Sequence, residues 1–187
     1  MEMPEIKPLT NFDPARFYQL AAGYTSHQKY AVSKQENEEE TVIRLTLQDL
    51  DEPYVKLWPH DPETEAHYRH VIEQGLSLGL YADDVLVGIA IAEKADWNRS
   101  LKVWEFHINP ALRAQGHGRR LMDALAEIGL QAGCRVMVCE AQNTNVPAIR
   151  FYRKLGFAVE AVDLSLYTNT DSSDFEVAVF MKRYLQP

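Results

Sequence analysis

Apolar and polar positions change period several times along the chain, and each change marks an element. Leu76–Tyr81 and Val85–Glu93 are two short apolar runs split by Asp83-Asp84, which predicts a β-hairpin. Lys29–Lys34 and Thr41–Leu50 predict two further strands on either side of Gln35-Glu36-Asn37-Glu38-Glu39-Glu40. That acidic run reads as an exposed turn. Two segments open with Asp-Pro, an N-cap followed by a residue whose fixed φ suits the first helical position. They predict helices from Asp13 to about Ala22 and from Asp61 to about Glu73, the second stopped by Gly75.

The second half alternates more cleanly. A turn at Trp97-Asn98-Arg99-Ser100 leads into a strand, Leu101–Ile108, then a helix, Gly116–Gln131. A strand at Arg135–Ala141, a helix at Val146–Lys154 and strands at Ala158–Leu166 and Glu176–Tyr184 follow, with Gly133 and Gly156 as helix stops. Antiparallel strands first and a strand–helix–strand unit later predict an α/β (α+β) fold. Its expected form is a single mixed, mostly antiparallel twisted sheet with helices on both faces. No internal repeat or Pro/Ser-rich linker interrupts residues 1–187, so one domain is expected.

Composition narrows the class. A chain of 187 residues buries well over half of its unfolded surface. The formal charge of −8 argues against general nucleic-acid binding and is consistent with a cationic small-molecule partner. No apolar run approaches the roughly 18 residues of a membrane span, and the acidic start lacks the basic and apolar regions of a signal peptide. A cytoplasmic location without membrane association is the expectation. Cys134 and Cys139 sit an odd number of positions apart on one predicted strand, so they point to opposite faces and are expected to stay reduced. His67 and His70 share a helix face but have no third ligand at fixed spacing, so no metal site is expected.

The run Arg113-Ala114-Gln115-Gly116-His117-Gly118-Arg119-Arg120-Leu121-Met122 carries the most specific chemistry. It joins a predicted strand to a predicted helix through two glycines among cations. Glycine lets a backbone approach a ligand closely, and the first-turn N–H groups of a helix favour a phosphate. The dinucleotide fingerprint needs a third glycine where Leu121 stands, and the triphosphate loop needs a Gly-Lys pair that the chain lacks.

The same run resembles motif A of the Gcn5-related N-acetyltransferase (GNAT) family, Arg/Gln-x-x-Gly-x-Gly/Ala. Two later segments fit in order: Asn143-Thr144-Asn145-Val146-Pro147-Ala148-Ile149-Arg150-Phe151-Tyr152, similar to Asn-x-x-Ala-x-x-x-Tyr, and Lys154-Leu155-Gly156-Phe157. Within the family the chain resembles the streptothricin acetyltransferase branch at Trp97-Asn98-Arg99, Asp163, Leu166-Tyr167, Phe175-Glu176, Ala178-Val179-Phe180 and, upstream, Pro53-Tyr54 with Lys56. The resemblance implies a coenzyme-binding core over about 101–160, with acetyl coenzyme A as cosubstrate. Arg113, Ala114, Gln115, Gly116, His117, Gly118 and Arg119 would hold its pyrophosphate and Asn145 its pantetheine arm. Ala114 departs from the glycine of many relatives. An N–H at Ile108 or Asn109 would polarise the thioester oxygen, and Tyr152 would protonate the departing sulfur.

Acetyl transfer to an amine also needs a base. Alternation along Val103–Ile108 predicts Trp104, Phe106 and Ile108 on one face and Glu105 with His107 on the other. Two titratable groups on one face of a central strand suggest a cleft, since a fully covered strand reads as nearly all apolar. Glu140 poses the same question on the following strand, and parallel neighbouring strands would set Glu105 and Glu140 on opposite lips of one opening. Glu105 is the preferred base and Glu140 the second candidate. On the streptothricin-branch resemblance, Tyr54, Trp97, Glu105, Asp163 and Tyr167 are candidate acceptor contacts, aromatics and carboxylates suited to an ammonium group.

The expected activity is acetylation of a primary amine on a small cationic molecule, with the β-lysine part of streptothricin as the leading acceptor. Acetylation of a protein N-terminus, as in ribosomal-protein alanine acetyltransferases, is the alternative within the same chemistry. A non-catalytic acyl coenzyme A sensor is the alternative outside it, and a homodimer is left open.

Overall fold

The computed structural model describes residues 3–169 and 176–185. In chain order the elements are β1 (Glu5–Pro8), α1 (Pro14–Leu20), β2 (Tyr24–Glu36), β3 (Thr41–Lys56), α2 (Pro62–Glu73), β4 (Leu78–Ala82), β5 (Val85–Ala95) and β6 (Ser100–Ile108). There follow α3 (His117–Gln131), β7 (Val136–Gln142), α4 (Val146–Lys154), β8 (Ala158–Asp163) and β9 (Ala178–Tyr184). The chain divides into two compact units. One comprises Met1–Ala22, Trp58–Cys139 and Arg183–Pro187; the other comprises Gly23–Leu57 and Glu140–Lys182.

The first unit is built on strands in the order β1-β4-β5-β6-β7, antiparallel except for the parallel pair β6–β7. Its helices start where Asp-Pro predicts. Asp13 accepts from the N–H of Arg16, and Asp61 accepts from those of Glu63 and Thr64. The hairpin between β4 and β5 turns through Asp83 and Asp84, both at positive φ, as a tight two-residue turn demands. Helices α1 and α2 bring Phe17, Leu20, Tyr68, Val71 and Ile72 onto the sheet face that carries Ile89 and Ile91. Helix α3 buries Leu121, Met122 and Leu125 on the other face. Gly129 permits its approach, because a Cβ there would come within 2.8 Å of Leu101 Cδ2. Each fully buried leucine of this kind contributes about 1.5–3 kcal/mol.

In the second unit β2 and β3 form a two-stranded antiparallel pair separate from the larger sheet, and β8 pairs antiparallel with β9. Asn143, 3% exposed, ties these parts together. Its backbone exchanges both hydrogen bonds with Tyr30 and Val177: Tyr30 N–H donates to Asn143 O at 2.9 Å and Asn143 N–H to Val177 O at 3.0 Å. Its side chain repeats the pattern, donating to Tyr30 O at 2.8 Å and accepting from Val177 N–H at 3.0 Å. A buried amide with its donors and acceptor so occupied fixes the segment leading into α4.

Several expectations are corrected. β1 was not anticipated; its short, mostly exposed sequence Glu-Ile-Lys-Pro lacks alternation and suits an edge strand. β2 and β3 run well beyond the predicted strands, with only Asn37 to Glu40 left for the turn. β8 ends at Asp163, whose carboxylate accepts from the N–H of Ser165 and stops the strand. Cys134 lies before β7 rather than on it, although both thiols are buried and unbonded to each other. The two-face alternation along β6 also breaks. The β5–β6 register slips between Ile91 opposite Glu105 and Ala92 opposite Val103, leaving Trp104 as an extra residue. That bulge turns Trp104 to the same side as Glu105. Trp104 meets His67 of α2 at a ring separation of 4.5 Å, and Glu105 meets the neighbouring Tyr68.

Candidate active site

In the first unit, β6 delivers the chain into the glycine-bearing turn. Gly116, at φ 85°, is the N-cap residue of α3, and no side chain caps that helix. A Cβ at Gly116 would meet nothing within 4 Å, so the approach to the first turn is open. Ala114 also takes a left-handed conformation, φ 60°, at a cost of about 1–2 kcal/mol for a residue with a side chain. An uncapped helix start behind two left-handed residues is a ready anion cradle. His117 is buried there, and its Nδ1 has no hydrogen-bond partner among the described residues. Two of the arginines are turned to the chain itself. Arg113 donates from Nε to Ile108 O at 3.1 Å, and Arg120 spans to Pro4 O at 3.3 Å from both terminal nitrogens. Arg120 thus braces the N-terminal segment instead of serving the turn.

The two candidate oxyanion donors differ. Asn109 N–H already donates to Val87 O at 2.8 Å. In an antiparallel pair the inward-bonding residues alternate, so Phe106 and Ile108 present their N–H groups to the edge away from β5. The parallel register of β6 with β7 runs only from Ser100 to Val103. Ile108 is therefore the donor left available by the register, and Asn109 is not.

Glu105 has both carboxylate oxygens engaged. Tyr68 donates its hydroxyl to Oε1, and His107 Nε2 lies 2.5 Å from Oε2. Phe17 presents its ring edge to His107 at 5.8 Å, an apolar wall behind the pair. Burial, followed by the Glu105 charge, pushes the Tyr68 phenol far up, so it remains a donor at every physiological pH. Neither Tyr68 nor His107 as a partner of Glu105 was anticipated. The i, i+2 spacing of Glu105 and His107 was the available signal, whereas Tyr68 lies 37 residues away.

The second unit holds a cavity of about 340 Å³ whose lining includes Tyr54, Asn143, Thr144, Tyr167, Thr168 and Glu176. Glu176 Oε2 pairs with Lys56 Nζ, at 15% and 23% side-chain exposure. Glu176 Oε1 accepts from Thr144 at 2.7 Å and from Tyr24 at 2.9 Å. Burial alone would raise the Glu176 carboxyl, but hydrogen bonds from Lys56, Thr144 and Tyr24 and the Lys56 charge outweigh it and hold it below the usual carboxylate range. Lys56 also stands 5.8 Å from the centre of the Tyr167 ring. Tyr167 donates its hydroxyl to Glu140, and burial and that charge push its phenol far up. Tyr54 is raised by burial and by the Glu176 charge.

Of the sequence-derived acceptor contacts, Tyr54 and Tyr167 thus come together, with Glu140 bonded to the second. Trp97 sits on a turn of the first unit, 88% exposed, and Asp163 is occupied in its own turn. Phe175 lies outside the described residues. Lys56 and Glu176 were noted only as points of likeness. Tyr24 and Thr144 carry no local signal, since they meet Glu176 across 152 and 32 residues. On α4, Asn145 accepts from Ala148 N–H at 3.2 Å as the N-cap, and Tyr152 is buried between Phe151 and Phe157, each at 5.6 Å.

The chain is 33% identical over 134 residues, 70% of each protein, to streptothricin acetyltransferase of Streptomyces lavendulae. Its structure is similar to that of nourseothricin acetyltransferase, with a TM-score of 0.77 and 26% identity over 99% of this chain and 100% of the other. A Bacillus anthracis protein solved in complex with acetyl coenzyme A shares the fold, with a TM-score of 0.76 and 20% identity over 97% and 99%. The model of the acetyltransferase (GNAT) family matches residues 43–157, well over half of the sequence, and the chain belongs to that family.

Proposed function

We propose that the chain transfers an acetyl group from acetyl coenzyme A to a primary amine of streptothricin, on its β-lysine part, and so inactivates a cationic antibiotic. The observation that carries the acceptor reading is the tyrosine-walled cavity around Glu176, whose carboxylate is held ionised at neutral pH. Aromatic faces and a carboxylate are what an aliphatic ammonium group recognises. The 33% identity to the Streptomyces enzyme supports the same reading.

Acetyl coenzyme A supplies the thioester. The turn Arg113–Arg119 and the open start of α3 take its pyrophosphate, and Asn145 its pantetheine arm. Ile108 N–H donates to the thioester oxygen as charge develops there. Glu105, steadied by Tyr68 and His107, removes the proton that keeps the amine from attacking; Glu140 is the second candidate for that task. Tyr152 gives its hydroxyl proton to the departing sulfur, which a phenol that is protonated at neutral pH can do. Homodimerisation is not required by any of these roles.

The test is incubation with acetyl coenzyme A and separate panels of streptothricin-type antibiotics, polyamines and N-terminal peptides, read by mass spectrometry. A one-acetyl mass gain on the antibiotic is expected. Transfer to peptides alone would overturn the acceptor reading.

A further inference from the structure

We propose that Lys29 makes a carboxylate-binding position in the cavity of the second unit, so that a ligand carrying a carboxylate enters there in preference to the same ligand capped as an amide. For its purpose, selection among acceptors and their competitors, the inference rests on the proposed reaction; binding alone tests it.

Lys29 lies on β2, is only partly exposed, and lines the cavity together with Leu50, Tyr54, Tyr167 and Glu176. Its neighbour across the ladder is Gln48, which Thr46 and Leu50 flank on the same face of β3. None of these is an acid, and Asp49 between them accepts from Gln28 at 2.7 Å. Among the described residues no carboxylate pairs with the Lys29 ammonium. A partly buried charge without a partner favours a ligand that supplies one.

Glu176 does not fill that role. Its Oε2 pairs with Lys56, and its Oε1 accepts from Thr144 and Tyr24. Glu140 is engaged by the Tyr167 hydroxyl. An acceptor ammonium arriving at Glu176 would therefore set three ammonium groups, its own with those of Lys56 and Lys29, against the carboxylates of Glu176 and Glu140. A carboxylate on the same ligand restores the balance, and an amide does not. Leu50 and the rings of Tyr54 and Tyr167 suit the short hydrocarbon between two such groups.

The test is ligand titration without acetyl coenzyme A, followed by nuclear magnetic resonance, with γ-aminobutyrate against γ-aminobutyramide and butyrate against butyramide. In each pair the acid is expected to bind about tenfold or more tightly than the amide, the scale of one hydrogen bond between charged groups. Lys29→Met should bring the acid down to the amide, whereas Lys29→Arg, which keeps the charge, should retain the preference. Lys29→Gln serves where the methionine variant does not fold, with the same expected loss. Equal binding of acid and amide to the wild type, or a preference that survives in folded Lys29→Met or Lys29→Gln, would overturn the proposal. In the acetylation assay, γ-aminobutyrate at concentrations that saturate binding should raise the KM of the antibiotic without lowering kcat, and far less so in Lys29→Met. Transfer to the antibiotic without any carboxylate preference would defeat the subsite alone. A carboxylate preference without transfer to any amine would leave the subsite standing and defeat the proposed reaction instead.

Discussion

Two half-buried carboxylates, Glu105 in the first unit and Glu176 in the second, are surrounded in opposite ways. Glu105 is met by a phenol that stays a donor and by an imidazole, a ring type that can accept and release a proton. Glu176 is met by a lysine, a phenol and a hydroxyl, and their hydrogen bonds with the lysine charge outweigh burial and hold its carboxyl low. A base must be able to take a proton and pass it on, whereas an anchor must stay charged. The partners of each carboxylate therefore suit Glu105 to proton transfer and Glu176 to binding. Glu140, bonded to Tyr167 at the cavity, sits chemically between them.

The largest expected effect separates these roles directly. Glu105→Gln keeps the shape and one acceptor oxygen but puts a donor nitrogen where the second oxygen accepted and removes the proposed base, so kcat should fall by roughly 10²–10⁴ while acetyl coenzyme A affinity is retained. Steady-state kinetics with a saturating amine would check this. A comparable loss in Glu140→Gln with Glu105→Gln near wild type would exchange the two candidates. Glu176→Gln should act mainly on KM, raising it about tenfold or more, as expected for a lost charged hydrogen bond. If instead kcat collapses with KM unchanged, the division between base and anchor fails.

The acid dependence of stability offers a second way to break the comparison. The folded carboxyl of Glu176 is held low, so its contribution is present above the ordinary carboxylate value of about 4.3 and is lost as pH falls through its lowered folded value. The double variant Lys56→Met/Glu176→Gln removes that contribution at every pH. Its unfolding free energy from urea titration should lie below wild type near neutrality, by roughly 1 kcal/mol for a half-buried pair, and the gap should narrow as pH falls below the ordinary carboxylate range. A gap that widens on acidification would show that Glu176 is not the ionised partner assumed here.

These two centres also differ in how far they could be read from sequence. Glu105 was legible because it stands two residues from His107 on a strand that should be apolar, a local signal. The strand-to-helix turn was legible from its two glycines, with α3 starting at His117, and α4 falls on the predicted Val146–Lys154. The bulge at Trp104 was not, because one extra residue in a ladder depends on the pairing strand and not on β6 alone. The pair Lys56–Glu176 joins residues 120 apart, and Tyr24 lies further still from its carboxylate partner. Contacts made by topology leave no period or motif behind, so only a likeness at Lys56 and Glu176 hinted that these positions matter.

The smallest expected effect tests what His107 contributes to Glu105. The imidazole lies 2.5 Å from the carboxylate, with the Phe17 edge behind it, and in the proposed mechanism it orients Glu105. His107→Gln retains an N–H for the same oxygen, whereas His107→Leu removes it at similar bulk. A positioning role predicts a few-fold loss of kcat in the glutamine variant and about tenfold in the leucine variant, near the 1–1.5 kcal/mol of one hydrogen bond. KM for the amine should stay constant in both, because the proposed mechanism has the acceptor's charge read at Glu176. A purely structural histidine would instead lower the melting temperature of both variants together and leave kcat of the folded fraction unchanged. Equal kcat losses in the two variants, without loss of stability, would mean that the ring passes the proton onward itself, since neither replacement can accept and release one.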